Sequence, residues 1–266
     1  MPLLNANHLD WLRPDWPAPN GVRAVCTTRT GGVSVAPYDS LNLGDHVGDE
    51  PTHVAANRAI FEHNIGAQPI FLTQVHSTTV LELNTSTPHA RAADASMTAQ
   101  PGVACTVMVA DCLPVLFTTT HGQAVAAAHA GWRGLAGQDG VGILEETVKR
   151  FSALAPIKKA NEAAEVIAWL GPCIGPAAFE VGEDVHAAFV PWDAQAADCF
   201  TPLASGKWLA DLAGLARLRL RAMGINQIYG NDSTEAWCTV TNASRFFSHR
   251  RDRISGRFAV CIWRTA

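Results

Sequence analysis

Between residues 104 and 129 the chain carries three apolar runs of strand length with no helical stretch between them. They cover 104–110, 114–118 and 123–129. The joints are ADCLP (Ala110–Pro114) and a turn at His121–Gly122. Runs this short, broken by Pro and Gly, read as strands. Consecutive strands without a helix between them point to antiparallel pairing rather than to βαβ repeats. No GxGxxG or Walker A motif is present, so neither a dinucleotide-binding nor a P-loop fold has support.

The rest of the chain mixes elements in the same way. Strands are expected at 21–28, 69–75, 79–83, 166–170, 225–230 and 257–263. Pro51 to Gly66 reads as a helix, with Pro in its first turn and Gly at its stop. Further helices are expected at 138–152, from Phe179 to Val190, and over 206–223. Residues 84–98 read as a loop, 155–165 as a polar connector or short helix, and Gly131–Gly134 as a turn. No internal repeat or interdomain linker is visible. The expectation is one α+β domain spanning 1–266.

Composition removes several function classes. The net charge of −4 and the absence of a basic stripe argue against nucleic-acid binding. No apolar stretch approaches the length of a membrane span, and the N-terminus lacks the layout of a secretory signal, so the expected location is cytoplasmic. The seven cysteines are odd in number, widely spaced and without a CxxC, which argues against a disulfide framework. Hydrophobic residues make up 48% of the chain, enough for a substantial core.

Against that background three side chains stand out. His76 ends PIFLTQVH, Cys112 interrupts VADCLPVLF (Val109–Phe117), and His129 ends VAAAH (Val125–His129). Each also has an ordinary reading. A histidine at a sheet edge is often only hydrogen-bonded, and a cysteine in an apolar run is often a small core residue. Together, two imidazoles and a thiolate would make a three-ligand site with one position open, a catalytic rather than a structural pattern. Zinc suits such a mixed set, and ligand type alone also admits copper. Asp111 would raise the pKa of a free Cys112 thiol unless a metal or an arginine intervened, which favours a metal-bound thiolate over a bare nucleophile. Arg133, in AGWRG, offers a fork for phosphate or carboxylate, or else a structural ion pair. Trp132 beside it reads either as a wall for a bound ring or as a core anchor.

Many ordered motifs make the chain resemble the YfiH-like family, also called the laccase-domain or multicopper polyphenol oxidase family, some of whose members are described as peptidoglycan editing factors. These motifs are TTRTGGVS (Thr27–Ser34), SLNLGDHVGD (Ser40–Asp49), Asn57–Arg58, QVH (Gln74–His76), ADA (Ala93–Ala95), VADCLPV (Val109–Val115), HAGWRG (His129–Gly134), GPCIG (Gly171–Gly175), FEVG (Phe179–Gly182) and FSHRR (Phe247–Arg251). The resemblance spans nearly the whole chain and implies layered α/β/β/α mixed sheets. It places a zinc triad on His76, Cys112 and His129. The family's QVHG reads QVHS here, with Ser77 at a turn that it could crowd.

The resemblance also implies phosphorolysis of adenosine, inosine and methylthioadenosine, with deamination of adenosine. The partners would then be a purine nucleoside and phosphate. A monomer is the default expectation for a chain with so much apolar sequence for its own core. Arg133, Arg29 and Arg250 or Arg251 are the candidates for phosphate, and Gln74 and Asn42 for base or sugar hydroxyls. His46 reads as a loop residue near the site. An alternative is an editing amidase that removes misincorporated serine from a peptidoglycan precursor. Copper oxidase chemistry is the weakest expectation, because the ten histidines contain no HxH.

Overall fold

A computed structural model describes residues 9–155 and 165–265. Two mixed sheets stack face to face, with helices on both outer faces. The first sheet has the order β1-β13-β5-β2, from β1 (Val22–Cys26), β13 (Phe258–Arg264), β5 (Val103–Val109) and β2 (Gln68–Phe71). The second has the order β12-β8-β6-β7-β4-β3, from β12 (Gln227–Gly230), β8 (Val166–Leu170), β6 (Leu113–Thr119), β7 (Val125–Ala130), β4 (Ala95–Thr98) and β3 (Val80–Glu82). Antiparallel pairs dominate, but β2 runs parallel to β5, β3 to β4 and β12 to β8. A small third sheet joins β10 (Phe200–Pro202), β11 (Trp208–Ala210) and β9 (Glu180–Val181).

Strand alternation builds the layers. Along β5, Val103, Cys105, Val107 and Val109 face the space between the sheets, where they join Val260, Ile262, Leu116, Ala127 and Trp169. Ala104 and Met108 face the opposite way, toward Phe61 and Ile65 of α1 (Pro51–Ile65). Along β6, Val115 and Phe117 turn from the first sheet toward Leu144 and Phe151 of α3 (Ile143–Leu154) and Leu215 of α5 (Leu212–Ala222). Strands buried on both faces lose the apolar–polar alternation of half-buried strands. That is why 104–118 reads as nearly continuous apolar sequence. The result is the layered α/β/β/α arrangement expected.

Four local expectations need correction. The strands at 104–110 and 114–118 do not pair: β5 belongs to the first sheet and β6 to the second, and the chain crosses between them at Asp111–Cys112. The 84–98 loop ends in the fully buried strand β4, whose Ser96 and Thr98 made it look like a loop; Thr98 Oγ1 donates to Leu83 O at 2.8 Å. The two helices expected from 179 and 206 each begin as a strand. Helix starts only at Glu183 for α4 (Glu183–Phe189) and at Leu212 for α5, where the Asp211 carboxylate caps the Gly214 N–H at 2.8 Å. The GWRG turn is instead the start of a short helix, α2 (Trp132–Ala136). The connector expected at 155–165 falls almost wholly outside the described residues. Among those residues no helix is long and apolar enough to cross a membrane.

Leu116 sits in the space between the two sheets with no exposed surface. Leu116→Ala is expected to cost about 2–5 kcal/mol of unfolding free energy, read as a lower midpoint in urea. An unchanged midpoint would mean that the packing between the sheets does not carry the fold.

Candidate metal centre

Pairing in the second sheet sets the site. β7 lies between β6 and β4, with Pro114 opposite His129 and Ala95 opposite Ala128. Asp94, just before β4, therefore lies beside His129. The His129 backbone N–H donates to Asp94 O at 2.7 Å, and its ring Nδ1 lies 2.9 Å from Asp94 Oδ1. Asp94 has no exposed surface. Its carboxylate also accepts the backbone N–H groups of Val75, His76 and Ser77 at 3.2, 2.9 and 2.6 Å, and the Ser77 hydroxyl at 2.8 Å. One buried anion thus orients the His129 ring and anchors the turn that carries His76. That turn holds His76 at φ +60°, in the left-handed region. Ser77 does not crowd it; its hydroxyl adds a donor to Asp94.

Cys112 arrives by another route. The crossing between sheets bends at Asp111, with φ +90°. The Asp111 carboxylate accepts the Thr239 hydroxyl at 2.6 Å and the Arg250 backbone N–H at 2.6 Å, and its carbonyl accepts the Ile174 N–H at 2.9 Å. These bonds hold the bend. Cys112 is half-buried, and its Sγ lies 3.6 Å from His76 Nε2. The rings of His76 and His129 meet edge-on, 4.8 Å between centroids. One ligand atom from each of His76, Cys112 and His129 falls within 4.8 Å of the others.

The electrostatics suit a cation. Burial pushes the Cys112 thiol up, but the charge and hydrogen bond of His129, and then those of His76, outweigh it and bring the thiol down to about 6. Burial opposes the charged form of His129, yet Cys112 and Asp94 raise it to about 9. Burial likewise works against the Asp94 carboxylate, and the His129 and Ser77 hydrogen bonds hold it below its usual range. Each of the two groups thus favours the charged form of the other. A bound cation takes the place of the imidazolium proton, and the thiolate is the ligating form of sulfur. With Nδ1 turned to a carboxylate, His129 offers Nε2 as ligand. Gly131 leaves the space open: a Cβ there would meet His76 Cδ2 at 2.6 Å and Cys112 Sγ at 3.0 Å. The donor set and its surroundings fit a borderline-soft divalent ion such as zinc.

The other expected site residues are placed differently. Asn42 is fully buried, its amide spent on Gly44, Asp49 and the Arg257 N–H, so it has nothing left for a substrate. Gln74 exchanges both its groups with the Met108 backbone at 2.8 Å, which braces the strand before His76. Arg29 pairs with Asp39 at 3.2 Å and lies over Phe247. Arg250 is directed to the carbonyls of Ala178 and Glu180, and Arg251 to those of Thr239, Val240 and Phe246. Arg133 is exposed and lies over its neighbour Trp132 at 4.3 Å. A cleft of about 270 Å³ opens beside Cys112, walled by Trp132 and Phe179, with Arg250, His249 and Arg253 along it. Sequence reasoning missed the part played by Asp94. Its signal was present: a lone acid between alanines at the start of what proves to be a buried strand.

Asp94→Asn keeps the shape and removes the charge. Carboxylates that orient a ligating histidine are typically worth 10–100-fold in metal affinity. Zinc affinity, measured by competition with a chromogenic chelator, should fall by about that factor, and equal affinity would remove Asp94 from the site.

Comparison with known proteins identifies the family. The family model described as multi-copper polyphenol oxidoreductase laccase matches residues 23–265. A Pseudomonas aeruginosa protein named purine nucleoside phosphorylase is 49% identical over 254 residues, covering 95% of this chain and 98% of its own. The purine nucleoside phosphorylase YfiH of Escherichia coli is 50% identical over 253 residues, covering 94% and 97%. Among solved structures, a Neisseria meningitidis protein superposes with a TM-score of 0.85 at 45% identity, over 97% of this chain and 100% of that one. YlmD of Geobacillus stearothermophilus also gives 0.85, at 31% identity, covering 96% of each chain. The chain therefore belongs to the YfiH-like, laccase-domain family.

Proposed function

We propose that this protein is a zinc-dependent purine nucleoside phosphorylase that works as one catalytic unit. The observation that carries the reading is the convergence of His76, Cys112 and His129 beside a cleft with aromatic walls. Relatives at about half identity over nearly the whole chain bear the phosphorylase name. The core shared by the two sheets supports reading the chain as a single domain.

Phosphorolysis forms a bond from a phosphate oxygen to the ribose C1′ and breaks the bond from C1′ to the purine N9. The electron pair leaves on the purine, which gains a proton. When bound, zinc supplies a Lewis acid that polarises a substrate oxygen. Trp132 and Phe179 offer flat apolar walls for a purine ring. Asp94 holds His129 and the His76 turn so that the ligand set does not reorganise during turnover. Arg250 lies along the cleft with its guanidinium Nη1 held by the carbonyls of Ala178 and Glu180.

Deamination of adenosine, which the family resemblance adds, needs water to attack C6 while ammonia leaves. That reaction requires the base, not the ribose, at the three-ligand group. The two activities thus demand opposite orientations of one nucleoside, and products distinguish them: adenine with ribose 1-phosphate, or inosine with ammonia. Multicopper oxidation would need several ligand groups to collect electrons. Among the described residues one group of this kind occurs.

The test is release of adenine from adenosine with and without phosphate, using zinc-loaded protein. Cys112→Ala and His129→Ala are each expected to reduce phosphate-dependent release to background while circular dichroism still reports a folded chain. Full activity in both variants would overturn the metal-dependent reading.

A further inference from the structure

Phosphorolysis needs a dianion held beside the ribose. Of the arginines named from the sequence, Arg133 is exposed and lies over Trp132, and the other three are bonded within the protein. Arg29 is paired with Asp39, and Arg250 and Arg251 are tied to backbone carbonyls. Two other arginines stand at the end of the first sheet that leads into Cys112. The register that sets Phe258 opposite Val109 carries Arg257 to the Ala110–Cys112 joint. Residue 257 shares the alternation of Ala259 and Cys261, which face α1. From α1 itself, the Arg58 guanidinium lies over Phe71 at 4.2 Å and reaches Met108 Sδ at 4.0 Å, on the same face.

The loop from Asn42 to His46 completes the group. Asn42 Oδ1 accepts the Arg257 N–H at 2.8 Å, and the Leu43 N–H donates to Arg257 O at 3.0 Å. The Arg257 stem packs over Gly44, where a Cβ would meet its Cγ at 2.8 Å. Arg58 Nε donates to Leu43 O at 3.0 Å. The loop, Arg58 and Arg257 therefore form one rigid assembly, with His46 at its outer side.

The charges in this assembly are not balanced. Among the described residues Arg257 makes no ion pair, though the charges of Cys112 and Asp111 act on it; its Nη1 donates to the carbonyls of Ser255 and Gly256, 2.8 and 3.0 Å away. Arg58 and His46 share one carboxylate, that of Asp45, at 3.2 and 3.5 Å, and it is more than half exposed. Burial, and then the charge of Arg257, hold His46 below its usual value. Two guanidiniums beside one largely exposed carboxylate, with an imidazole able to donate a hydrogen bond, are a ready site for a multivalent anion.

We propose that Arg257, Arg58 and His46 form an anion subsite that takes inorganic phosphate, on the α1 side of the three-ligand group. The identity of the anion rests on the phosphorylase reading. The existence of the subsite rests on these residues alone. The aromatic cleft lies toward the opposite helix layer, beside Phe179 and Leu212. Phosphate and nucleoside then approach from the two sides of the sandwich, and C1′ sits between them. The phosphate oxygen bonds to C1′ as the purine leaves on the far side, and the proton of hydrogen phosphate ends on the purine.

The test combines binding and kinetics on zinc-loaded protein. Inorganic phosphate is titrated without nucleoside and followed by ³¹P line width. Steady-state KM values are then measured separately for phosphate and for adenosine. Arg257→Gln and Arg58→Gln are each expected to raise the phosphate Kd and KM by about tenfold or more, leaving the adenosine KM within about twofold. Lys149→Gln, on the exposed face of α3, removes the same charge and should change neither. If both arginine variants keep the wild-type phosphate Kd, or if wild-type protein binds no phosphate, the subsite is overturned. Binding that is lost in the variants, from a wild-type protein that never cleaves nucleosides, would sink the phosphorylase reading and leave the subsite standing. Thermal melts exclude unfolding as the cause, and Arg58→Gln serves if Arg257→Gln does not fold.

Discussion

A single buried carboxylate organises the centre of this protein. Asp94 receives the His129 ring on one oxygen and three consecutive backbone N–H groups, from Val75 to Ser77, across both. A buried carboxylate without partners would be strongly disfavoured. Here each donor that satisfies it also positions a ligand. Removing the acid would therefore loosen two of the three metal-competent side chains together, although it touches neither substrate nor metal.

The third ligand depends on the architecture rather than on Asp94. Cys112 follows the point where the chain leaves one sheet and enters the other. At that point the backbone takes a left-handed turn, and Asp111 is pinned from Thr239, Arg250 and Ile174. Strain of this kind persists only where surrounding contacts over-determine it. Residues more than sixty positions away in sequence thus hold the thiolate against the two imidazoles. The stacking of the sheets also divides the surroundings of the centre, with the aromatic cleft and Arg250 toward one helix layer and Arg58 and Arg257 toward the other.

Much of this was legible in the sequence, and the reasons differ between residues. His76, Cys112 and His129 each break an apolar run, which is why they stood out singly; their convergence came from family resemblance, since separations of 36 and 17 residues carry no local metal signature. The α1 boundaries followed from Pro51 and Gly66, whose backbone preferences act locally. Strand β4 was hidden because Ser96 and Thr98 look like loop residues until burial gives Thr98 a carbonyl partner. Arg29, Asn42 and Gln74 were nominated as substrate contacts by residue type. In the fold they bond to the protein itself, and residue type cannot tell a free donor from a spent one.

The sequence by itself determined the strand-rich character, the three metal-competent residues and the family, because these depend on residue identity and on local alternation. Tertiary structure alone decided that β5 and β6 lie in different sheets, that Asp94 joins the two histidines, and which partners each arginine takes. Those outcomes depend on pairing and burial between segments far apart in the chain. Hydrogen-bond partners are assigned only when the sheets close, and that closure turns three interrupted strands into one centre.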